Sequence, residues 1–436
     1  MDYMSEMPHV VVVGGGFAGV SATSELAKEG FRVTLIDRHP YNTFQPLLYQ
    51  VATGGLNAGD VTYSLRYYAA RHSGVNFRRA TMTSIDHDAQ EVICDDGVRI
   101  PFDYLIIGTG ITTNHFGIPG AAEYTMSMYT RGGALAVRDA IFGSLETIAG
   151  LSDPNTGSFT VVIVGGGATG VEMAGQLAEL KSQALPSTYP ELNPARVSVV
   201  LVEMTEHLLA PFDDSLRKYA LRELIKRGVD VRLKTAISEV HPDRVDFKDG
   251  SSLPADLVIW AAGVAGAPET GNWGLPVGRG GRIEANDDTR VIGFENIFAV
   301  GDASLVTGQP MAQLAQPALQ SGKHAARQIA RLHRGLDTEA FHYRDKGTMA
   351  TIGRGDAVLE MPIGIKMTGV LAWLGWIALH IVFLLGNRNR VQTLINLGAR
   401  YAGPRRTNAI VGDVMETPRI KALRRGASGR TPASQA

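Results

Sequence analysis

Cysteine is all but absent: Cys94 stands alone. That excludes an intramolecular disulfide, a CxxC redox pair and a multi-cysteine metal site. Any redox chemistry must therefore come from a bound cofactor. There is also no excess of charge: 42 basic residues against 43 acidic ones leave a formal net charge of -1, so no global field recommends a nucleic-acid partner. The 11 histidines show no metal-ligand spacing, and no metal is expected. The opening MDYMSEMPHVVVVGGG lacks the positive region and small-residue cleavage pattern of a secretory signal, so the chain is expected to stay in the cytoplasm. One local absence points the other way. No residue between Met367 and Asn387 carries a formal charge, and this length approaches the roughly 20 residues a helix needs to cross a bilayer.

What is present begins with glycine. The valine-rich run His9 to Val13 leads directly into Gly14-Gly15-Gly16-Phe17-Ala18-Gly19, then a helical stretch Val20 to Glu29 and a second strand, Arg32 to Ile36, ending at Asp37. Each part of this GxGxxG unit has a task in holding a dinucleotide. Gly14 makes the tight turn, Gly16 lets a pyrophosphate approach the backbone, and Gly19 lets helix and strand pack. The helix N-terminus offers its free N–H groups to phosphate, and Asp37 can accept from a ribose. The same order returns at Phe159 to Val164, Gly165-Gly166-Gly167-Ala168-Thr169-Gly170, a helix from Val171 to about Lys181, and a strand Val197 to Val202 ending at Glu203. The proline-bearing stretch Ser182 to Arg196 reads as an inserted loop. Two fingerprints mean two dinucleotides, and a carboxylate at Glu203 favours the free 2′-hydroxyl of NADH over the 2′-phosphate of NADPH. The fold class expected is α/β: two Rossmann-like dinucleotide-binding domains plus a C-terminal membrane-associating helical segment.

Two more segments, Tyr104 to Gly110 and Glu295 to Asp302, read as buried strands ending in small residues beside a flat ligand. Here the sequence resembles the two-dinucleotide-binding flavoprotein reductases, and more narrowly the type II NADH dehydrogenases, monotopic NADH:quinone oxidoreductases. The resemblance spans roughly residues 8 to 402. It is carried by Phe44-Gln45-Pro46-Leu47-Leu48-Tyr49-Gln50-Val51-Ala52-Thr53-Gly54, by Gly170-Val171-Glu172, by Tyr343 to Gly353, and by Ala315-Gln316-Pro317-Ala318-Leu319-Gln320, which fits the family's AQxAxQ quinone motif. An overlapping register from Ala312 would put Pro317 where the second glutamine belongs. The resemblance implies that Gly14, Gly16, Phe17, Ala18, Gly19, Asp37, Arg38, Gln45, Thr109, Gly110, Asp302 and Ala315 face FAD. It implies that Gly165, Gly167, Ala168, Thr169, Gly170, Glu172, Glu203, Ala262 and Gly263 face NADH. It assigns Glu172, Gln316 and Gln320 to the chemistry.

Residue chemistry is compatible with those roles. Gln316 and Gln320 lie four apart, on one face of a helix, and an amide can donate to a quinone carbonyl without carrying charge. Quinol formation consumes two protons, so a carboxylate at Glu172 could relay them; an acid near a helix start also needs no catalytic reason. Lys346 stays unassigned within a charged turn, and His380 is expected to be packed or interfacial. The reading is FAD-dependent oxidation of NADH with reduction of menaquinone or ubiquinone. The alternatives are a soluble NADH-dependent reductase of an iron–sulfur carrier and a flavin- and NADH-binding sensor with little turnover. The expected domains are FAD-binding at residues 8–120 and 285–335, NADH-binding at 121–284, a quinone and membrane-anchoring region at 336–402, and a partly disordered tail at 403–436. Residues 341–354 read as strand-like. After the charge-free stretch, Val391, Leu394 and Ile395 continue an apolar helical face. Two successive helices, with Trp373 and Trp376 at an interface and Lys366, Arg388 and Arg390 toward anionic headgroups, fit a peripheral, monotopic anchor on the cytoplasmic face of the inner (plasma) membrane. A homodimer contact through the same stretch is an additional role.

Overall fold

The computed structural model describes residues 7–309, 311–402 and 417–420. They divide into two compact units: Met1–Thr43, Thr62–Thr112 and Val264–Lys346 make one, and Phe44–Val61, Thr113–Gly263 and Gly347–Ala436 the other.

The first unit is built on a five-stranded parallel sheet in the order Ile297–Ala299, Tyr104–Ile107, His9–Val13, Arg32–Asp37, Val75–Arg79. Its central strands are apolar on both faces, and Val10, Val11 and Val12 are wholly buried, as a parallel sheet covered on both sides requires. The helix Phe17–Lys28 follows the first strand, and the helix Ala315–His333 packs beside it. Their contact depends on small residues: a Cβ at Gly322 would lie 2.1 Å from the Ala18 carbonyl oxygen.

The second unit repeats the plan with four parallel strands in the order Asp230–Arg232, Val197–Val202, Phe159–Val164, Leu257–Trp260. In both sheets the first strand of the fingerprint is central, and the chain crosses from one side of it to the other. That reversal opens the crevice in which a dinucleotide binds, at the carboxyl ends of the strands. The fingerprint helix of this unit, Ala168–Glu179, begins three residues earlier than the sequence suggested and runs on as a π-helical turn, Leu180–Ala184. The expected loop after it is therefore partly helical. An antiparallel sheet, Thr348–Gly353 with Asp356–Glu360 and Lys366–Thr368, lies against this helix. The approach is close: a Cβ at Gly175 would lie 2.2 Å from the Ile352 carbonyl oxygen. The strand expected from Phe341 is confined to Thr348–Gly353, because 341–346 spends its backbone on other partners.

The charge-free stretch forms a 15-residue helix, Gly369–Phe383, about 22 Å long and short of the roughly 30 Å hydrocarbon thickness of a bilayer. Among the described residues no helix is long and apolar enough to cross a membrane. A turn at Leu384–Gly386 separates it from a second helix, Asn387–Ala402. The first buries Ala372, Trp376 and His380 on one stripe and exposes Val370, Leu371, Leu374, Leu379 and Val382. The second is turned inside out: Val391, Leu394 and Ile395 are exposed, while Asn396 donates to the Asp60 carboxylate at 2.8 Å and Arg400 points inward to Gln50, Gln176 and Glu179.

Three expectations change here. Trp376 is buried, stacked on His380 at 3.8 Å. Lys366 pairs with Asp213 at 2.6 Å while staying exposed, Arg388 is exposed, and Arg390 is half-buried and donates to the Leu384 carbonyl. Within the tail expected to be partly disordered, Arg419 and Ile420 are docked: Arg419 pairs with the buried Asp256 at 3.3 Å, and Ile420 is fully buried. Residues 403–416 and 421–436 of the tail lie outside the described residues.

Candidate functional site

The two glycine loops have one geometry. Gly14 and Gly165 take φ of 105° and 108°, which only glycine adopts without strain. A Cβ on Gly14 would lie 2.3 Å from the Gly108 carbonyl oxygen, and one on Gly165 would lie 2.9 Å from the Ala261 backbone. The third glycines are closer still, with Cβ positions 1.7 Å from the Gly14 carbonyl oxygen at Gly19 and 1.9 Å from the Gly165 carbonyl oxygen at Gly170. The middle positions differ: a Cβ on Gly16 or Gly167 would meet nothing within 4 Å. That open side is where a pyrophosphate needs to reach the backbone. Both helices begin there without a side-chain cap, leaving N–H groups and the positive helix end for an anion.

The terminal acids are held identically. Asp37 accepts from the Gly15 N–H at 2.6 Å and the His39 N–H at 2.7 Å. Glu203 accepts from the Gly166 N–H at 2.6 Å and the Thr205 N–H at 2.8 Å. Each carboxylate is thus bonded to its own glycine loop and fixed at the loop's edge. Burial raises the Asp37 pKa, and the His39 and Gly15 N–H bonds oppose the rise.

Asp302 sits in the short 3-10 turn Gly301–Ala303, and the Gly301 N–H donates to Ser321 of the neighbouring helix at 2.9 Å. Burial lifts its carboxyl to about 7 against the pull of Arg282. Thr109 and Gly110 follow the strand Tyr104–Ile107, and Gly110 has φ of 73°. Arg38 is exposed, while Ala315 opens its helix and is half-buried. In the second unit, Gln45 keeps Oε1 buried with no partner among the described residues, an acceptor left for a bound N–H. Ala168 and Thr169 open the second fingerprint helix, and Ala262 and Gly263 continue the strand Leu257–Trp260.

Glu172 is buried in the fingerprint helix under the strand Thr348–Gly353, and its Oε1 accepts from the Thr351 N–H at 3.3 Å. Burial pushes its carboxyl up to about 8. The Thr351 N–H bond opposes the rise, and the Trp376 indole N–H makes no hydrogen bond among the described residues. Thr351 continues the polar chain: its hydroxyl is 2.9 Å from the Tyr49 hydroxyl, which accepts from Gln50 at 3.1 Å. His380 is buried with Nδ1 on the Trp376 carbonyl at 2.7 Å, and burial lowers its pKa to about 4.

The two motif glutamines are not equivalent. Both are half-buried in the first turns of Ala315–His333. Gln320 donates to the Arg344 carbonyl and accepts from the Arg344 N–H, each at 3.0 Å. These bonds hold the 343–346 segment out of a strand. The Gln316 side chain makes no hydrogen bond to the described residues. Sequence spacing showed that the amides share a face but could not show that one of them is already engaged.

One group was not anticipated: His241 lies 2.8 Å from Asp246 and 3.8 Å from Glu239 on a hairpin. Arg244 shares Asp246 at 3.1 Å, which supplies a cation already.

Two dinucleotide cradles of one geometry, with a lone buried cysteine and no dithiol, define a two-dinucleotide oxidoreductase. Residues 8–322 match the family described as pyridine nucleotide-disulphide oxidoreductase. The chain is 34% identical over 94% of its length to the type II NADH:quinone oxidoreductase NdhA of Mycobacterium tuberculosis, covering 91% of that protein. It is 30% identical over 81% of its length to the type II NADH:quinone oxidoreductase of Haemophilus influenzae, covering 86% of it. Its fold is similar to NDH2 from Plasmodium falciparum in complex with NADH, with a TM-score of 0.85 and 20% identity, covering 92% of this chain and 99% of that one. The chain belongs to the type II NADH:quinone oxidoreductases.

Proposed function

We propose that the protein oxidises NADH through FAD and passes both electrons to a membrane quinone, without pumping protons. The unit carrying Gly14 to Gly19 would hold FAD, and the unit carrying Gly165 to Gly170 would hold NADH. The observation that carries this reading is the repeated bond from acid to glycine loop, Asp37 to Gly15 and Glu203 to Gly166, both at 2.6 Å. Bound FAD supplies the two-electron carrier that takes a hydride from NADH and yields electrons to quinone.

The chain's own residues bind, select and manage protons. The N–H groups beside Gly16 and Gly167 cradle the two pyrophosphates, and Asp37 and Asp302 accept from FAD hydroxyls. Glu203 accepts from the adenosine 2′-hydroxyl of NADH, and its charge repels a 2′-phosphate. The net reaction takes NADH, quinone and one proton to NAD⁺ and quinol. With a carboxyl near 8, Glu172 holds a proton at neutral pH and can supply it. Gln316 offers a neutral donor to a quinone carbonyl, while Gln320 keeps the 343–346 segment in place.

The last two helices support attachment to one membrane leaflet. Both expose large apolar residues, Val370, Leu371, Leu374 and Val382 on the first and Val391, Leu394 and Ile395 on the second, where a helix that faces water would show polar ones. Such an anchor would keep the enzyme on the cytoplasmic face of the inner (plasma) membrane, and part of the same surface would serve a homodimer.

The test is anaerobic addition of NADH to purified holoenzyme, which should bleach the flavin, followed by menaquinone or ubiquinone, which should restore its spectrum. Sustained NADH oxidation should then require quinone. A bleached flavin that quinone leaves unchanged would overturn the proposal in favour of a carrier reductase or a sensor.

A further inference from the structure

Residues His115–Ile118 form a tight turn closed by the Ile118 N–H on the His115 carbonyl at 3.0 Å. Its central residues, Phe116 and Gly117, have φ of 54° and 68°. A turn with positive φ at both central positions takes Asn, Asp or Gly first. A bulky aromatic there is sterically disfavoured, and such outliers concentrate at functional sites. Burial does not explain it, because Phe116 is 60% exposed.

The turn is fastened to one place. The Phe116 N–H donates to Asn114 Oδ1 at 2.8 Å, the Asn114 N–H to the Gly263 carbonyl at 3.3 Å, and the Trp260 indole to the Asn114 carbonyl at 2.9 Å. His115 packs on Trp260 with ring centroids 5.4 Å apart. The Phe116 ring therefore lies over Gly263, where a Cβ would be 2.1 Å from its Cζ. Gly263 ends the segment whose Ala261 and Ala262 backbone abuts Gly165.

The sheet order makes Leu257–Trp260 and Phe159–Val164 neighbours on the side opposite Val197–Val202. A dinucleotide crossing this reversal places its adenosine half toward Glu203 and its other half toward Gly263. The geometry points to Phe116 as a binding residue for the nicotinamide–ribose half of NADH. Its exposed face walls that end of the crevice. The inference rests on the second unit being the NADH site.

The experiment compares NADH with ADP-ribose, which lacks the nicotinamide, on the FAD-loaded enzyme. The NADH dissociation constant comes from the concentration dependence of stopped-flow flavin reduction, and that of ADP-ribose from competition. Phe116→Gly removes the ring and relieves the backbone strain, so loss of folding does not confound it; Phe116→Tyr keeps the ring. Phe116→Gly should weaken NADH about five- to tenfold and leave ADP-ribose within about twofold, with Phe116→Tyr close to wild type for both. Equal weakening of both ligands, or no change for NADH, overturns the inference. A wild-type flavin that NADH cannot reduce would overturn the reading of the NADH site itself, and this inference with it.

Discussion

Replacing Glu172 by glutamine keeps the shape and the acceptor for the Thr351 N–H but removes an ionisation that burial has displaced from an ordinary 4.5 to about 8. The carboxyl is protonated in the folded protein and ionised in the unfolded chain between those values. The folded state therefore binds more protons there, and wild-type stability falls as pH rises through the window, levelling off above about 8. At about 1.4 kcal/mol per tenfold change, the full loss is about 5 kcal/mol, about 2.5 kcal/mol of it between roughly pH 6 and pH 8.5. Glu172→Gln should escape this loss. Urea unfolding of the FAD-loaded enzyme in detergent should therefore show the variant gaining about 2.5 kcal/mol on wild type across that interval. Infrared titration should show a protonated-carboxyl band vanishing near pH 8 in wild type and absent in the variant. Parallel stability curves with no such band would show that Glu172 is ionised at neutral pH, and its role as proton holder would fall.

Further expectations separate the two units and the two glutamines. Gly19→Ala sets a methyl 1.7 Å from the Gly14 carbonyl oxygen and should abolish FAD retention on purification, whereas Gly170→Ala, at 1.9 Å from Gly165, should leave the flavin bound and abolish its reduction by NADH. Glu203→Gln should narrow the preference for NADH over NADPH about tenfold or more, measured as the ratio of kcat/KM values. Gln316→Ala should slow reoxidation of the flavin by quinone while its reduction by NADH stays fast; Gln320→Ala should also free the 343–346 backbone, read as faster amide exchange at Arg344. Leu371→Asp combined with Ile395→Asp, both on the exposed apolar surface, should lower binding to anionic vesicles by at least tenfold in flotation assays without loss of NADH-driven flavin reduction.

The parts written locally were legible in the chain. A valine strand, a glycine turn, a helix and a terminal acid are set by backbone sterics and hydrophobic period over a short run of the chain. Asp37 and Glu203 accordingly stand at the edges of their glycine loops. The inverted character of Asn387–Ala402 was half visible: the apolar residues declared a face, but not whether it turned inward. Asp60, Gln50 and Glu179, distant in sequence, claim the polar side and so turn the apolar one out.

Sequence alone determined the two dinucleotide cradles, the absence of dithiol chemistry and the apolar C-terminal segment, because each depends on residue type and short-range order. Tertiary structure alone decided the burial of Glu172, the engagement of Gln320, the burial of Trp376, the docking of Arg419 and Ile420, and the strained Phe116 turn. Those depend on which remote backbone or side chain arrives beside a group, and desolvation and hydrogen bonding respond to that arrival rather than to the neighbours in the chain.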